Sequence, residues 1–168
     1  PLWLELFQHH LHVGGAAVAT IQPELSWPRR RRLYRELFGH PGTFVVLAER
    51  EGVPVGYTLS HVRVGADDTW DTGDLIGEVE TLVLTPSVRG RGLGSALLDA
   101  TEAELARRGA HTVLIAVLAG NDQAQAFYER RGMRPTVTYR RRVGGAVRRE
   151  RERTPTVRPA WSCRPRRS

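Results

Sequence analysis

Lysine is absent from this 168-residue chain; all 25 basic residues are arginine. A phosphate-binding Walker loop needs a lysine after its last glycine, so the usual ATPase and GTPase chemistry is excluded. Cysteine is nearly absent as well. The single Cys163 rules out an intramolecular disulfide and suits a reducing, cytoplasmic setting. No apolar run approaches the roughly 20 residues needed to span a bilayer, and no signal-peptide pattern opens the chain, so no membrane partner is expected. The only methionine is Met133, and the N-terminus is expected to be trimmed or incomplete.

What is abundant is positive charge, unevenly placed. The net charge is +7, yet residues 140–168 hold 11 arginines against two glutamates, leaving −2 for residues 1–139. The basicity therefore belongs to a tail. GGAVRRERERTPTVRPAWSCRPRRS (144–168) is rich in Arg, Pro and Gly and poor in aliphatics, a composition that cannot bury enough to offset its ordering entropy. The expected organisation is a single domain over 1–143 and a disordered tail over 144–168. Nucleic acid or another polyanion is expected to bind weakly at most, and through the tail alone.

The body alternates helical and strand signals. Residues 2–11 read as a helix. A second helix is expected from a Ser26 cap, with Pro28 in its first turn and Gly39 as its stop. Strands are expected at 43–50 and 53–64, joined at Glu51-Gly52 as a hairpin. The polar loop 65–74 leads to a strand at 78–85. A helix over 92–108 is closed by Arg107, Arg108 and Gly109. The uninterrupted apolar run 112–118 reads as a strand covered on both faces. A short helix over 121–132, capped by Asn121 or Asp122, precedes a last strand at 133–143. This order specifies a mixed α/β fold.

The most informative stretch is VRGRGLGSALL, residues 88–98. A strand that runs into a helix through glycines leaves the first helical N–H groups unpartnered, and their dipole favours an anion by about 0.3–2 kcal/mol. Gly90, Gly92 and Gly94 let a phosphate reach the backbone. Arg89 and Arg91 add charge suited to bidentate phosphate contacts, and Ser95 adds a hydroxyl. A dinucleotide fingerprint does not fit: Ser95 or Leu97 stands where the third glycine of GxGxxG belongs.

Arg89-Gly90-Arg91-Gly92-Leu93-Gly94 resembles the (Gln/Arg)-x-x-Gly-x-(Gly/Ala) signature of the GNAT superfamily of acyl-CoA N-acyltransferases. Asn121 to Met133 is similar to that family's N-x-x-A-x-x-F-Y-x-x-x-G-(Phe/Met) segment, with Ala124, Phe127, Tyr128 and Gly132 at the matching places. The resemblance covers residues 2–143. It implies a mixed, mostly antiparallel central sheet flanked by helices, in which two parallel middle strands, 79–85 and 112–118, splay to admit pantetheine. It also implies acetyl-CoA as acyl donor, its pyrophosphate in the turn formed by Arg89, Gly90, Arg91, Gly92, Leu93, Gly94 and Ser95. The family's first strand is lacking before Leu2, which leaves stability and oligomer geometry, a homodimer included, open.

The implied reaction is direct acetyl transfer to a primary amine of a small molecule or peptide. Glu78 and Glu80, two apart on one strand face, are candidate bases for the amine proton. They precede Leu82, Val83 and Leu84, whose backbone is expected to polarise the thioester and contact the cofactor. Tyr128 is the family's donor to the leaving thiolate. Against a reference pKa of about 10, a thiol near 8.5 makes full proton transfer uphill, so a hydrogen bond is expected to do much of the work. Asn121 is either a helix cap or a cofactor ligand, and Ala124 lies beside it.

For the acceptor, Asp67, Asp68, Asp71 and Asp74 surround Trp70, a patch suited to a cationic amine. His9 and His12 share a helix face without a third ligand, so no metal is expected. Two rival functions remain: an acyl-CoA-binding module without transfer, and a polyanion-binding protein working through its tail.

Overall fold

A computed structural model of the chain describes residues 2–15, 21–65, 69 and 71–140. Two helices come first, α1 (Leu2–Gly14) and α2 (Pro23–Phe38). They are followed by β1 (Phe44–Arg50), β2 (Val53–Val64), β3 (Leu75–Leu84), α3 (Leu93–Arg107), β4 (Thr112–Ile115) and α4 (Asp122–Arg130). The four strands form one sheet in the order β1-β2-β3-β4. The first two pairings are antiparallel and β3–β4 is parallel, the mixed sheet expected from the sequence.

The hairpin forms where the turn signal lies. Arg50 pairs with Val53, and Glu51 and Gly52 both take positive φ, 54° and 75°, the two-residue turn whose twist suits a hairpin. α2 differs from its expected start. Pro23 at the first helical position sets the helix going a turn earlier, and Leu25 and Ser26 both donate N–H bonds to Gln22. Ser26 is thus inside the helix rather than its cap, and Pro28 sits in an exposed interior turn where water can serve the carbonyl it leaves unpaired.

Alternation along the strands sends neighbouring side chains to opposite faces, and the helices divide accordingly. On one face, buried Thr58 of β2 donates to Thr101 of α3 across 2.6 Å, because the Thr101 hydroxyl proton is already given to the Leu97 carbonyl at 2.8 Å. On the other, Tyr57 and Thr81 meet Tyr34 of α2, and Trp3 of α1 packs on Trp27 of α2 at 5.1 Å. Under α3 lie two core clusters: Val79, Leu98, Leu105, Ala110 and Tyr128, then Ala48, Leu84, Val88 and Leu97. Arg131, after α4, pairs with Asp99 and Glu102 of α3 and ties the two helices together.

Two expectations are corrected at the C-terminal side. The run 112–118 forms a strand only over Thr112–Ile115, half-buried throughout, because β4 is the edge strand among the described residues and lacks cover on its outer side. The last strand expected at 133–143 is absent over its described part, 133–140. Met133 instead returns its N–H to the Tyr128 carbonyl. Beyond it Val137 and Tyr139 are 56% and 89% exposed, so the alternating pattern has no face to bury. The compact unit ends at Met133. The basic tail 144–168 lies outside the described residues, as do Asp67, Asp68 and Trp70.

Candidate active site

β3 changes character half-way along. From Ile76 to Val79 it pairs on both sides, with β2 and with Thr112–Ile115 of β4. Past Val79 the β4 pairing stops, while β3 continues to Leu84. The register against β2 slips at the same place: Ser60 faces Val79 and Leu59 faces Thr81, which leaves Glu80 as an extra residue in a β-bulge. A bulge bends its strand and re-aims side chains. Here it turns both Glu80 and Thr81 toward α2, where they meet Arg30 and Tyr34.

The open half of β3 presents a defined set of backbone groups. Thr85 donates its N–H to Val55 of β2, so by strand alternation Leu82 and Leu84 turn theirs the other way, to the vacated edge. The outward carbonyl of Leu84 is already taken: Arg89 donates to it from Nε at 3.0 Å and Nη2 at 2.9 Å. Arg89 thereby removes an acceptor from the mouth of the splay and leaves N–H donors there. Leu82 is half-buried against the α3-side core, and Val83 and Leu84 are buried.

The turn that follows opens onto α3. Gly90 and Gly92 have φ of 71° and 82°, which other residues rarely adopt, and a Cβ at either would meet nothing within 4 Å. Gly94 serves packing instead, its virtual Cβ 3.5 Å from Leu84 and 3.8 Å from Phe127. No side chain caps α3, and its first backbone bond runs from Ala96 to Gly92, so the amides of Leu93, Gly94 and Ser95 precede the first turn unpartnered. Arg91 is exposed and without an ion-pair partner among the described residues, and Ser95, in the first turn of α3, is half-buried. These groups fit a diphosphate: an open glycine surface, three amides and one uncommitted guanidinium.

α4 brings Tyr128 to the same region. Its ring is 9% exposed, belongs to the core cluster of Val79, and stands edge-on to Phe127 at 5.0 Å. Burial pushes its hydroxyl up to about 12, and no protein group among the described residues bonds that hydroxyl. Asn121 caps α4, its Oδ1 accepting from Ala124 N–H at 3.2 Å. Cap and ligand are compatible here, since the amide NH2 of Asn121 is left over.

Glu78 and Glu80 have different company. Glu78 is bound within the sheet, 2.8 Å from Arg63 and 3.8 Å from His61 of β2. Glu80, on the bulge, lies 3.0 Å from Arg30 of α2. The Tyr34 hydroxyl bridges Tyr57 (2.8 Å) and Thr81 (3.1 Å), and burial together with the Tyr34 bond drives the Tyr57 pKa upward. Arg30, Tyr34, Tyr57 and Thr81 were not singled out by sequence reasoning. No local pattern links α2 to a bulge 50 residues on. Of the acidic loop, Asp71 and Asp74 are described and exposed; the Asp71 carboxylate accepts from the Gly73 N–H at 3.0 Å, and the Asp74 carbonyl accepts from the Gly65 N–H at 2.9 Å. Among the described residues no group of three or more His, Cys, Asp or Glu could hold a metal, and no helix is long and apolar enough to cross a membrane.

The sequence profile of the acetyltransferase (GNAT) family matches residues 12–133. The chain belongs to the GNAT family. Mycothiol acetyltransferase of Corynebacterium aurimucosum is 45% identical over 134 residues, covering 72% of this chain and 43% of that protein. The enzyme of the same name from Thermobispora bispora is 36% identical over 125 residues, covering 73% and 41%. This GNAT chain spans between 35% and 43% of the length of the curated relatives it matches. Among solved structures, a GCN5-related N-acetyltransferase from Ralstonia eutropha superposes with a TM-score of 0.59 at 26% identity, over 84% of this chain and 93% of that one.

Proposed function

We propose that this chain is an N-acetyltransferase that moves an acetyl group from acetyl-CoA directly to the primary amine of a small molecule. The observation that carries the reading is the splay: β3 parts from β4 at the Glu80 bulge, the glycine turn follows β3, and Tyr128 packs in the core cluster of Val79, the last residue paired with β4. The name shared by the curated relatives supports a small-molecule acceptor over a peptide.

When bound, acetyl-CoA supplies the acetyl thioester. The outward N–H groups of Leu82 and Leu84 orient the pantetheine and polarise the carbonyl. Those of Leu93, Gly94 and Ser95, with Arg91, hold the pyrophosphate. A protonated amine is no nucleophile, and Glu80 accepts the proton it must lose, directly or through a water. Glu80 is preferred over Glu78 because it lies on the bulge where the β4 pairing ends; each carboxylate has a cationic neighbour, Arg30 for Glu80 and Arg63 with His61 for Glu78. Tyr128 keeps its proton and donates a hydrogen bond to negative charge building on sulfur. With its pKa near 12 against roughly 8.5 for a thiol, full proton transfer is more strongly uphill than for an ordinary tyrosine.

Thiol release from acetyl-CoA with a panel of primary amines, with products weighed by mass spectrometry, tests the reading. Tyr128→Phe is expected to lower kcat at least tenfold with acetyl-CoA affinity nearly unchanged. The donor is the protonated hydroxyl, so a raised pKa extends activity upward: kcat should show no basic limb from Tyr128 below about pH 11. A limb near pH 10 that vanishes in Tyr128→Phe would contradict the burial argument. Failure of any amine to release thiol, with no calorimetric saturation by coenzyme A at millimolar levels, would overturn the function.

A further inference from the structure

No residue of α2 is buried, so apolar burial does little to fix this helix on the sheet. Two polar contacts, one helical turn apart, join it to the bulge of β3. Arg30 donates to the Glu80 carboxylate at 3.0 Å, and the Tyr34 hydroxyl meets that of Thr81 at 3.1 Å. Thr81 is 3% exposed, and a hydroxyl so placed needs a partner from the protein. The Tyr34 hydroxyl also bonds Tyr57 at 2.8 Å, as a phenol can, donating one bond and accepting another. Tyr34 is therefore tied at once to β2 and β3, the two strands whose registers fail to match.

Strand side chains repeat with period two, so a bulge that slides by one residue changes which of them face which way. Moved toward Val79, it would turn Glu80 to the α3 face and away from Arg30. Moved toward Leu82, it would turn Thr81 to that face and away from Tyr34. The two contacts bracket the bulge and leave it one position. They differ in what the reaction does to them. A carboxylate that takes up a proton loses its charge and with it most of its attraction to Arg30, whereas the uncharged bond between Tyr34 and Thr81 is unaffected. We infer that Tyr34 is a positioning residue for the transfer: through Thr81 its hydroxyl locks the bulge on Glu80 and keeps that carboxylate on the α2 face while it gains and loses its proton. The inference rests on Glu80 as the base of the proposed reaction.

Tyr34→Phe removes the hydroxyl and keeps the ring, whose centroid lies 5.5 Å from the Arg30 guanidinium. It should lower kcat about five- to tenfold and leave the acetyl-CoA KM within about twofold of wild type. Thr81→Val, of nearly the same shape, should do the same, and the double variant should stay within about twofold of the slower single one. In a Glu80→Gln chain, where no base remains to be placed, Tyr34→Phe should change kcat less than about twofold; a merely structural loss would be equal in both backgrounds. Amide exchange tests the lock without catalysis. The Thr81 and Val83 amides face β2 by the alternation that turns Thr85 to Val55. In Tyr34→Phe they should exchange at least about fivefold faster, with Ile76–Val79 unchanged. The inference is overturned by a kcat close to wild type, by an equal fall in the Glu80→Gln chain, or by exchange that is unchanged or rises evenly along β3. If the wild-type chain acetylates no amine, the transfer reading falls, and the exchange contrast alone upholds or overturns the lock.

Discussion

The two halves of β3 share a strand and differ in everything around it. Ile76–Val79 lies between partners, with Ile76 and Val79 each 2% exposed and Gly77 pressed so closely on α3 that a Cβ would fall 2.6 Å from Leu105. Glu80–Leu84 keeps one partner and turns its other edge to an opening. The first half is held by the same forces as any buried strand. In the second, two outward N–H groups lack the ladder bonds that a sheet interior would supply, the arrangement usually avoided in buried backbone. Open pairing next to dense pairing is therefore read as a ligand's place in the sheet, and it makes separable demands on mutation: changes in the closed half should act on stability, changes in the open half on turnover.

The sharpest way to break this contrast is at the boundary. Glu80→Gln is expected to lower kcat about 100-fold, the lower end of what a general base contributes, with the melting temperature nearly unmoved. Glu78→Gln, in the closed half, should change kcat less than about threefold. Steady-state kinetics on both variants decides the matter. The reverse pattern would put the proton acceptor among paired residues and remove the bulge from the mechanism.

Next in size is the closed half itself. Gly77→Ala forces a methyl group against Leu105, which is fully buried and cannot move aside freely. Overpacking of this kind costs about 1–3 kcal/mol, and a fall in Tm of at least about 4 °C follows for a body of this size. The specific activity of the remaining folded protein should stay near wild type. Pairing the change with Leu105→Val should recover most of the loss. Urea unfolding of the single and double variants measures both, and a kcat defect without a stability defect would erase the distinction between the halves.

How far these halves could be read beforehand follows from the range of the interactions. Turn chemistry is local, so Glu51-Gly52, the glycine turn at 90–94 and the Asn121 cap were all visible in a few residues. The strand over 53–64 was legible from end to end because alternation and turn signals agreed. The bulge was not: it arises from a mismatch between β2 and β3, and neither strand alone encodes it. The same holds for Arg30 and Tyr34, whose roles depend on α2 crossing the far face of the sheet. The expected strand, absent over its described part 133–140, shows the converse error, a local pattern with no neighbour to pair with among the described residues. Arg89 is intermediate, since the motif marks its importance and only the fold reveals that two of its donors serve Leu84.

That double role gives the smallest effect and the finest test of the open half. If Arg89 acts only by attracting phosphate, Arg89→Met raises the acetyl-CoA KM several-fold and leaves kcat alone. If it also keeps the Leu84 carbonyl out of the mouth, its loss returns an acceptor beside two donors that must face the pantetheine, and the alignment of the thioester suffers. The clamp therefore predicts a several-fold rise in KM together with a two- to fivefold fall in kcat, about 0.4–1 kcal/mol at the transition state. Arg91 bonds no backbone carbonyl among the described residues, so Arg91→Met should raise KM alone and lose its effect as salt screens the exposed charge. Kinetics of the two variants at low and high ionic strength separate these cases: a kcat unchanged in Arg89→Met would reduce its contact with Leu84 to a packing detail.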